Sequence, residues 1–161
     1  MPYQTHPAFI EPKDRNARLW RYMDLARLLS VIDTGTLFFP SVATLSKMDP
    51  YEGEPALARI RAAQARGADE LRKLRLQRDI FKHLNFFNCW HMNDSESDAM
   101  WKLYVKGSEG VAIQSNVGRV ISSFASCPDT IYMGKVRYVD HATLATPADT
   151  SFGLSDYTGF R

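Results

Sequence analysis

Leu19-Trp20-Arg21-Tyr22-Met23, followed by Asp24 and then by Leu25, Leu28, Leu29 and Ile32, is the stretch that sets the fold class. Residues 19–23 alternate as a strand does, with successive side chains turned to opposite faces. Asp24 is suited to cap a helix, because its carboxylate can accept a hydrogen bond from an otherwise unpaired backbone N–H. The four aliphatic residues fall at i, i+3, i+4 and i+7, one stripe of a short helix. Gly35 supplies a stop, and residues 36–39 read as a buried strand ended by Pro40. The order is strand, helix, glycine stop, strand.

Upstream, residues 1–18 are polar and carry Pro2, Pro7 and Pro12, which predicts an extended lead-in. Downstream, a turn at Asp49-Pro50 leads into a helical insertion over about residues 54–85. There Leu57, Ile60, Leu71, Leu74 and Phe81 keep a helical period, and Gly67 divides it into two pieces. The other positions are dense in basic residues: Arg59, Arg61, Arg66, Arg72, Lys73, Arg75, Arg78 and Lys82. They read as a solvated face, with a phosphate-facing surface as the sharper alternative.

Residues 86–92 form the next strand candidate. Ser95 with Asp98 resembles a capping box for a helix reaching about Lys106 and stopping at Gly107. A short strand at 111–114, a helix at 117–125 and an alternating strand at 131–139 follow. The helix at 117–125 turns Val117, Val120, Ile121 and Phe124 inward. Beyond His141 no periodic apolar pattern remains. Mixed strands and helices predict a single α+β domain over 1–161, a small mixed or antiparallel sheet with flanking helices.

Bulk properties restrict the function. At 161 residues and 45% hydrophobic, the chain is long enough for one real core. A formal net charge of +2 is too small to argue for nucleic acid or an anionic membrane by itself. No apolar run is long enough to span a bilayer, and the N-terminus lacks the order of a signal peptide. Cys89 and Cys127, without a C-x-x-C spacing, read as two buried free thiols in a reducing compartment, so cytoplasm is the expectation.

Motifs for dinucleotide-binding, P-loop, serine-hydrolase and zinc-protease chemistry are absent. His6, His83, His91 and His141 lack ligand spacing, so no metal is expected. His91 reads as a hydrogen-bonded sheet residue. Two dense segments remain. Asp49-Pro50-Tyr51-Glu52-Gly53 has the pattern of a turn, which accounts for Asp49, Pro50 and Gly53 but not for Tyr51 or Glu52. In the second, Glu96 to Tyr104, Ala99, Met100 and Leu103 make a core stripe. Glu96 lies in the first helical turn, where the helix N-terminus favours a carboxylate. Trp101 falls about 100° from Met100, on the side of Ser97 and Tyr104. Such aromatics either fill a core or form a shelf for a flat ring.

Together, residues 19–23, 49–53, Cys89-Trp90-His91, and 96–104 followed by Gly110-Val111-Ala112-Ile113 resemble a bacterial and phage domain of unknown function, catalogued as number twenty-nine seventy-one. The resemblance covers roughly residues 17–140. A strand bearing Arg, then a helix, a glycine and a strand, is also similar to the opening of the ADP-ribosyltransferase superfamily. That second resemblance implies NAD as substrate. Arg21 and Tyr22 would then hold its adenosine side, within an aromatic-lined pocket. A carboxylate would stabilise the oxocarbenium-like ribose as the glycosidic bond breaks. The Phe-x-x-Glu-x-Glu-x-Arg-like segment that would supply this acid is missing, and no Asp or Glu follows Asp156. The chain is then a truncated copy, an inactive one, or one in which Glu52, Glu96 or Glu109 substitutes.

The resulting expectation is an ADP-ribosyltransferase-like or NAD-glycohydrolase-like domain of a toxin or phage-defence system. Glu52 and Glu96 are the candidate catalytic acids. Arg21, Tyr22, Asp49, Tyr51, Trp90, Trp101 and Tyr104 are the candidate binding residues. The alternatives are an inert module contacting protein or nucleic acid through the basic helices at 59–82, and a hydrolase or nuclease built on Asp49, Glu52, Glu96 and Asp98.

Overall fold

A computed structural model describes residues 2–7, 9–105, 107 and 109–136. Two compact units are present. The first is built from Met1–His6, Glu11–Phe38 and Asn88–Gly134, and the second from Pro7–Ile10 and Phe39–Phe87 with Lys135 and Val136. The fold is α+β.

In the first unit, β1 (Arg18–Asp24) is the central strand of a three-stranded antiparallel sheet, flanked by β2 (His91–Met92) and β3 (Gly110–Asn116). Every residue of β1 pairs with β3, from Arg18 opposite Asn116 to Asp24 opposite Gly110. β2 pairs only with Leu19 and Trp20, so Arg21 to Asp24 have a strand on one side alone. Helix α1 (Leu25–Thr34) starts where expected, with the Asp24 carboxylate accepting the N–H of Arg27 at 2.8 Å. It stops at Gly35, whose φ of 64° is a left-handed conformation that glycine adopts without a Cβ penalty. Helix α6 (Val117–Ser123) turns Val117 and Val120 onto Leu19, with Ile121, Phe124, Trp90 and Met133 packed around them, as the apolar spacing predicts.

The second unit is helical. It contains the short α2 (Val42–Leu45) and the pair α3 (Leu57–Arg66) and α4 (Ala68–Leu84), divided at Gly67. Leu74 and Phe81 of α4 are buried, and Phe81 packs with Val42 and Phe87. The insertion expected at 54–85 is this helical pair.

Several local expectations fail for identifiable reasons. Residues 36–39 are not a strand, because no ladder lies beside them; the Phe38 carbonyl takes a side-chain hydrogen bond from Asn88, and its ring is exposed. The 86–92 run is split. Phe86 forms an isolated antiparallel bridge with Ser41 and the Phe87 N–H donates to the Pro40 carbonyl, whereas His91 and Met92 pair with β1. Ile131 makes only an isolated parallel bridge to Tyr3, and residues 132–136 are not strand; 137–139 lie outside the described residues.

Helix α5 (Asp98–Tyr104) is capped by Ser97, not Ser95, and ends at Tyr104; Lys106, its expected end, is not among the described residues. Ala99 and Leu103 of its expected core stripe are exposed, because the helix is rotated to turn Met100, Trp101 and Tyr104 inward. The α1 stripe is likewise uncovered, with Ile32 70% exposed. Cys89 is exposed and Cys127 half-buried, and neither is in a disulfide among the described residues, so the expected pair of buried thiols is corrected. His141, Asp156 and Arg161 lie outside the described residues. No helix among the described residues is long and apolar enough to cross a membrane.

Candidate functional site

The alternation of β1 decides which candidates meet. Leu19, Arg21 and Met23 point to one face and Trp20 and Tyr22 to the other. Leu19 belongs to the α6 cluster, and half-buried Trp90 packs there with it. Tyr22 is buried on the opposite face, where its ring meets Trp101 edge-on and tilts against His91. Trp90 and Trp101 therefore serve opposite faces of β1.

The Tyr22 face is held by a ring of polar contacts. The Tyr22 hydroxyl accepts the Ser97 N–H at 2.9 Å, just ahead of α5. Trp20 Nε1 donates to the Asn93 carbonyl at 3.0 Å, and Arg18 donates to that of Asp94 at 2.8 Å. Trp101 Nε1 donates to Glu96 Oε2 at 2.9 Å, which gives this exposed carboxylate a defined direction. Tyr22 is thus a packing pillar, while Glu96 and the outer edge of Trp101 stay accessible. His91 lies in the sheet as expected, but its buried Nε2 makes no hydrogen bond among the described residues. A shallow depression of about 330 Å³ is lined by Trp101, Lys102, Val105, Gly107 and Gly110.

Arg21 is the electrostatic anomaly. Its half-buried guanidinium donates to the Cys89 carbonyl at 2.7 Å, and no carboxylate among the described residues pairs with it. Burial pushes this group below the usual arginine range. The charge of Arg27 pushes the same way, while Cys89 and Tyr104 oppose it, which puts all three in the neighbourhood of Arg21. Arg27 is held by Asp24 at 3.4 Å. Tyr104 follows Trp101 by three residues and so shares its side of α5.

The other candidates belong to the second unit. Asp49 Oδ1 accepts the Tyr51 N–H at 2.9 Å, and the Asp49 carbonyl accepts that of Glu52 at 3.0 Å, the geometry of an Asx-stabilised turn. Tyr51 projects into solvent. Glu52 is the one buried charged residue among those described, 7% exposed. Arg21, Tyr22, Trp90, Glu96, Trp101 and Tyr104 share the first unit, whereas Asp49, Tyr51 and Glu52 do not.

Much of the basic surface of α3 and α4 is neutralised locally. Lys82 and Arg78 reach Glu54 at 2.6 and 3.5 Å, Arg78 also reaches Asp79 at 2.8 Å, and Lys73 reaches Glu70 at 2.7 Å. Arg61, Arg66 and Arg75 form no ion pair among the described residues. No group of three or more His, Cys, Asp or Glu among those residues could hold a metal ion.

Sequence reasoning missed Arg27, the Cys89 carbonyl and the Ser97 N–H as parts of the site. A backbone group carries no motif. The strand period gave the one available signal, since alternation along β1 places Arg21 and Tyr22 on opposite faces. No family model matches the chain, and no curated protein or solved structure is significantly similar to it.

Proposed function

We propose that the first unit binds NAD through Arg21, as an ADP-ribosyltransferase-like or NAD-glycohydrolase-like domain of a toxin or phage-defence system acting in the cytoplasm. The observation that carries the reading is the half-buried Arg21 guanidinium without a carboxylate partner among the described residues. A cation withdrawn from water without an anion is costly, and a diphosphate supplies both the charge and the oxygens that a guanidinium fork fits. Arg27 adds a second positive charge near the same place.

Glu96 is the acid of choice, because the Trp101 indole fixes its direction. Although Arg21 leaves β1 from the face opposite Tyr22, its guanidinium lies at the strand edge that β2 does not cover and near Tyr104 of the same helix as Trp101. When the glycosidic bond breaks, its electron pair leaves with nicotinamide and positive charge develops on the ribose. A fixed carboxylate stabilises that charge, and water or a target nucleophile then completes the substitution. Glu52, inside the second unit, is assigned no step.

Titration calorimetry with NAD at millimolar concentration tests the reading. Binding to the wild-type chain is expected, weakened at least ~10-fold by Arg21→Met, the loss of about one charge-assisted contact. Absence of heat with the wild-type chain sinks it. If binding holds, slow NAD consumption lost in Glu96→Gln supports catalysis, and its persistence there leaves Glu96 without the role.

A further inference from the structure

We infer that the outer face of α4 docks an acidic amphipathic helix of a partner protein, a second function carried by the second unit and independent of the NAD reading. Helix α4 buries Leu74 and Phe81 on one side. On the other, Leu76, Ile80 and Leu84 recur every four residues and are 61%, 50% and 70% exposed. Eight residues of helix span about 12 Å, so these side chains form one row along the axis. Ile80 and Leu84, with Asp79 and His83, line a shallow depression of about 350 Å³ whose surface is almost wholly apolar. Rows of this spacing are the anchor pattern of helix-on-helix recognition.

Charge selects the partner. Helices α3 and α4 carry eight Lys and Arg against three Asp and Glu. Two of those acids, Glu70 and Asp79, are engaged at 2.7 and 2.8 Å by Lys73 and Arg78. The third, Asp69, stands 3.8 Å from Arg72 with both side chains largely in solvent, a contact worth little. Arg72 lies one turn before Leu76, and Arg75 makes no ion pair among the described residues. The apolar row is therefore rimmed by available positive charge, which an acidic helix complements.

The same observations disfavour the other occupants. Two copies meeting through this face would oppose their own Arg72, Lys73 and Arg75. A polynucleotide would match the cations but would set phosphates against three aliphatic side chains, desolvating both without gain.

The test uses the full chain and a labelled synthetic helix with leucines at i, i+4 and i+7 flanked by glutamates. A peptide with lysines in place of the glutamates serves as control. Fluorescence anisotropy is expected to give saturable binding of the acidic peptide only. Ile80→Glu, at an exposed position where folding is checked by circular dichroism, weakens it at least ~10-fold, and Arg72→Glu weakens it separately. Binding that ignores both substitutions, or no binding of the acidic peptide, overturns the proposal. So does self-association that Ile80→Glu abolishes, which would make the occupant a second copy. Affinity for single-stranded polynucleotide that exceeds peptide affinity and falls steeply with salt overturns it in favour of nucleic acid.

Discussion

The Tyr22 ring on β1 meets the Trp101 indole on α5 edge-on, with centroids 5.0 Å apart and planes at 79°. The hydroxyl of the same tyrosine accepts the Ser97 N–H at 2.9 Å, so one residue fastens both the body of α5 and its entry. Tyr22→Phe keeps the ring contact and removes the acceptor. A part-buried N–H left unpaired costs about 1–2 kcal/mol, and the urea midpoint is expected to fall with an unchanged slope. An unaltered midpoint would mean that water replaces the hydroxyl at no cost.

Arg21 should respond in the opposite direction. Met fills much of the same volume without a charge to desolvate. Arg21→Met is therefore expected to stabilise the ligand-free chain by about 1 kcal/mol, since a half-buried cation with no carboxylate partner among the described residues is removed. The Cys89 carbonyl it leaves behind belongs to an exposed residue that water can reach. Thermal unfolding with and without millimolar pyrophosphate reads both halves of the idea. The anion should raise Tm in the wild-type chain and leave the variant unmoved. A variant less stable than the wild type without ligand would show that the single bond to Cys89 outweighs desolvation.

What was legible in the sequence was local. The capping aspartate, the αL glycine after α1 and the division at Gly67 each depend on a few adjacent residues, and each stands where the local pattern puts it. The strand reading at 36–39 failed, that at 86–92 held only at His91 and Met92, and that at 131–139 reduced to one bridge at Ile131 over its described residues 131–136, because a strand exists only where a second segment supplies its ladder. Nothing in Phe86-Phe87 announces that they lie beside Pro40 and Ser41 while His91 pairs with Trp20. The site was half-legible for the same reason. Residue types pointed to Arg21, Glu96 and Trp101, but the separation of Asp49, Tyr51 and Glu52 into another unit is a property of the whole chain.

Two glycines with positive φ offer a controlled comparison. Gly35 at 64° has open space where a Cβ would go, so Gly35→Ala meets only the backbone penalty of about 1–2 kcal/mol. Gly53 at 71° would place its Cβ 2.5 Å from Val42 Cγ1, a side chain with 0% exposure. Overpacking adds about 1–3 kcal/mol to the same backbone cost. Gly53→Ala should therefore unfold at clearly lower urea than Gly35→Ala. Equal midpoints would mean that Val42 yields without cost.

Tyr3 gives a pH prediction. Burial raises its hydroxyl pKa above the ordinary 10.0, and Glu11 adds to this while Arg15 opposes it. The folded chain then holds a proton that the unfolded chain has already released. This contribution is complete below about pH 10 and declines as pH rises through the folded value. Other groups titrate in that range, so the measurement is a difference. Wild type minus Tyr3→Phe should lose stability above pH 10, and a flat difference would remove Tyr3 as the cause.

Glu54 draws two cations together, Lys82 at 2.6 Å and Arg78 at 3.5 Å, with Lys82 only 14% exposed. The two substitutions that probe this cluster are therefore not equivalent. Glu54→Gln leaves two positive charges facing each other in partly dry surroundings, and it should cost about 1–3 kcal/mol. Lys82→Met removes the more buried cation, keeps its aliphatic packing near Gly53, and leaves Glu54 with Arg78. Its cost should be the smaller of the two. Combining them should restore part of the loss, because the charge that Glu54→Gln strands is then gone. Strict additivity in the double variant would mean that Glu54 and Lys82 act through separate neighbours, and the short contact between them would carry no coupling.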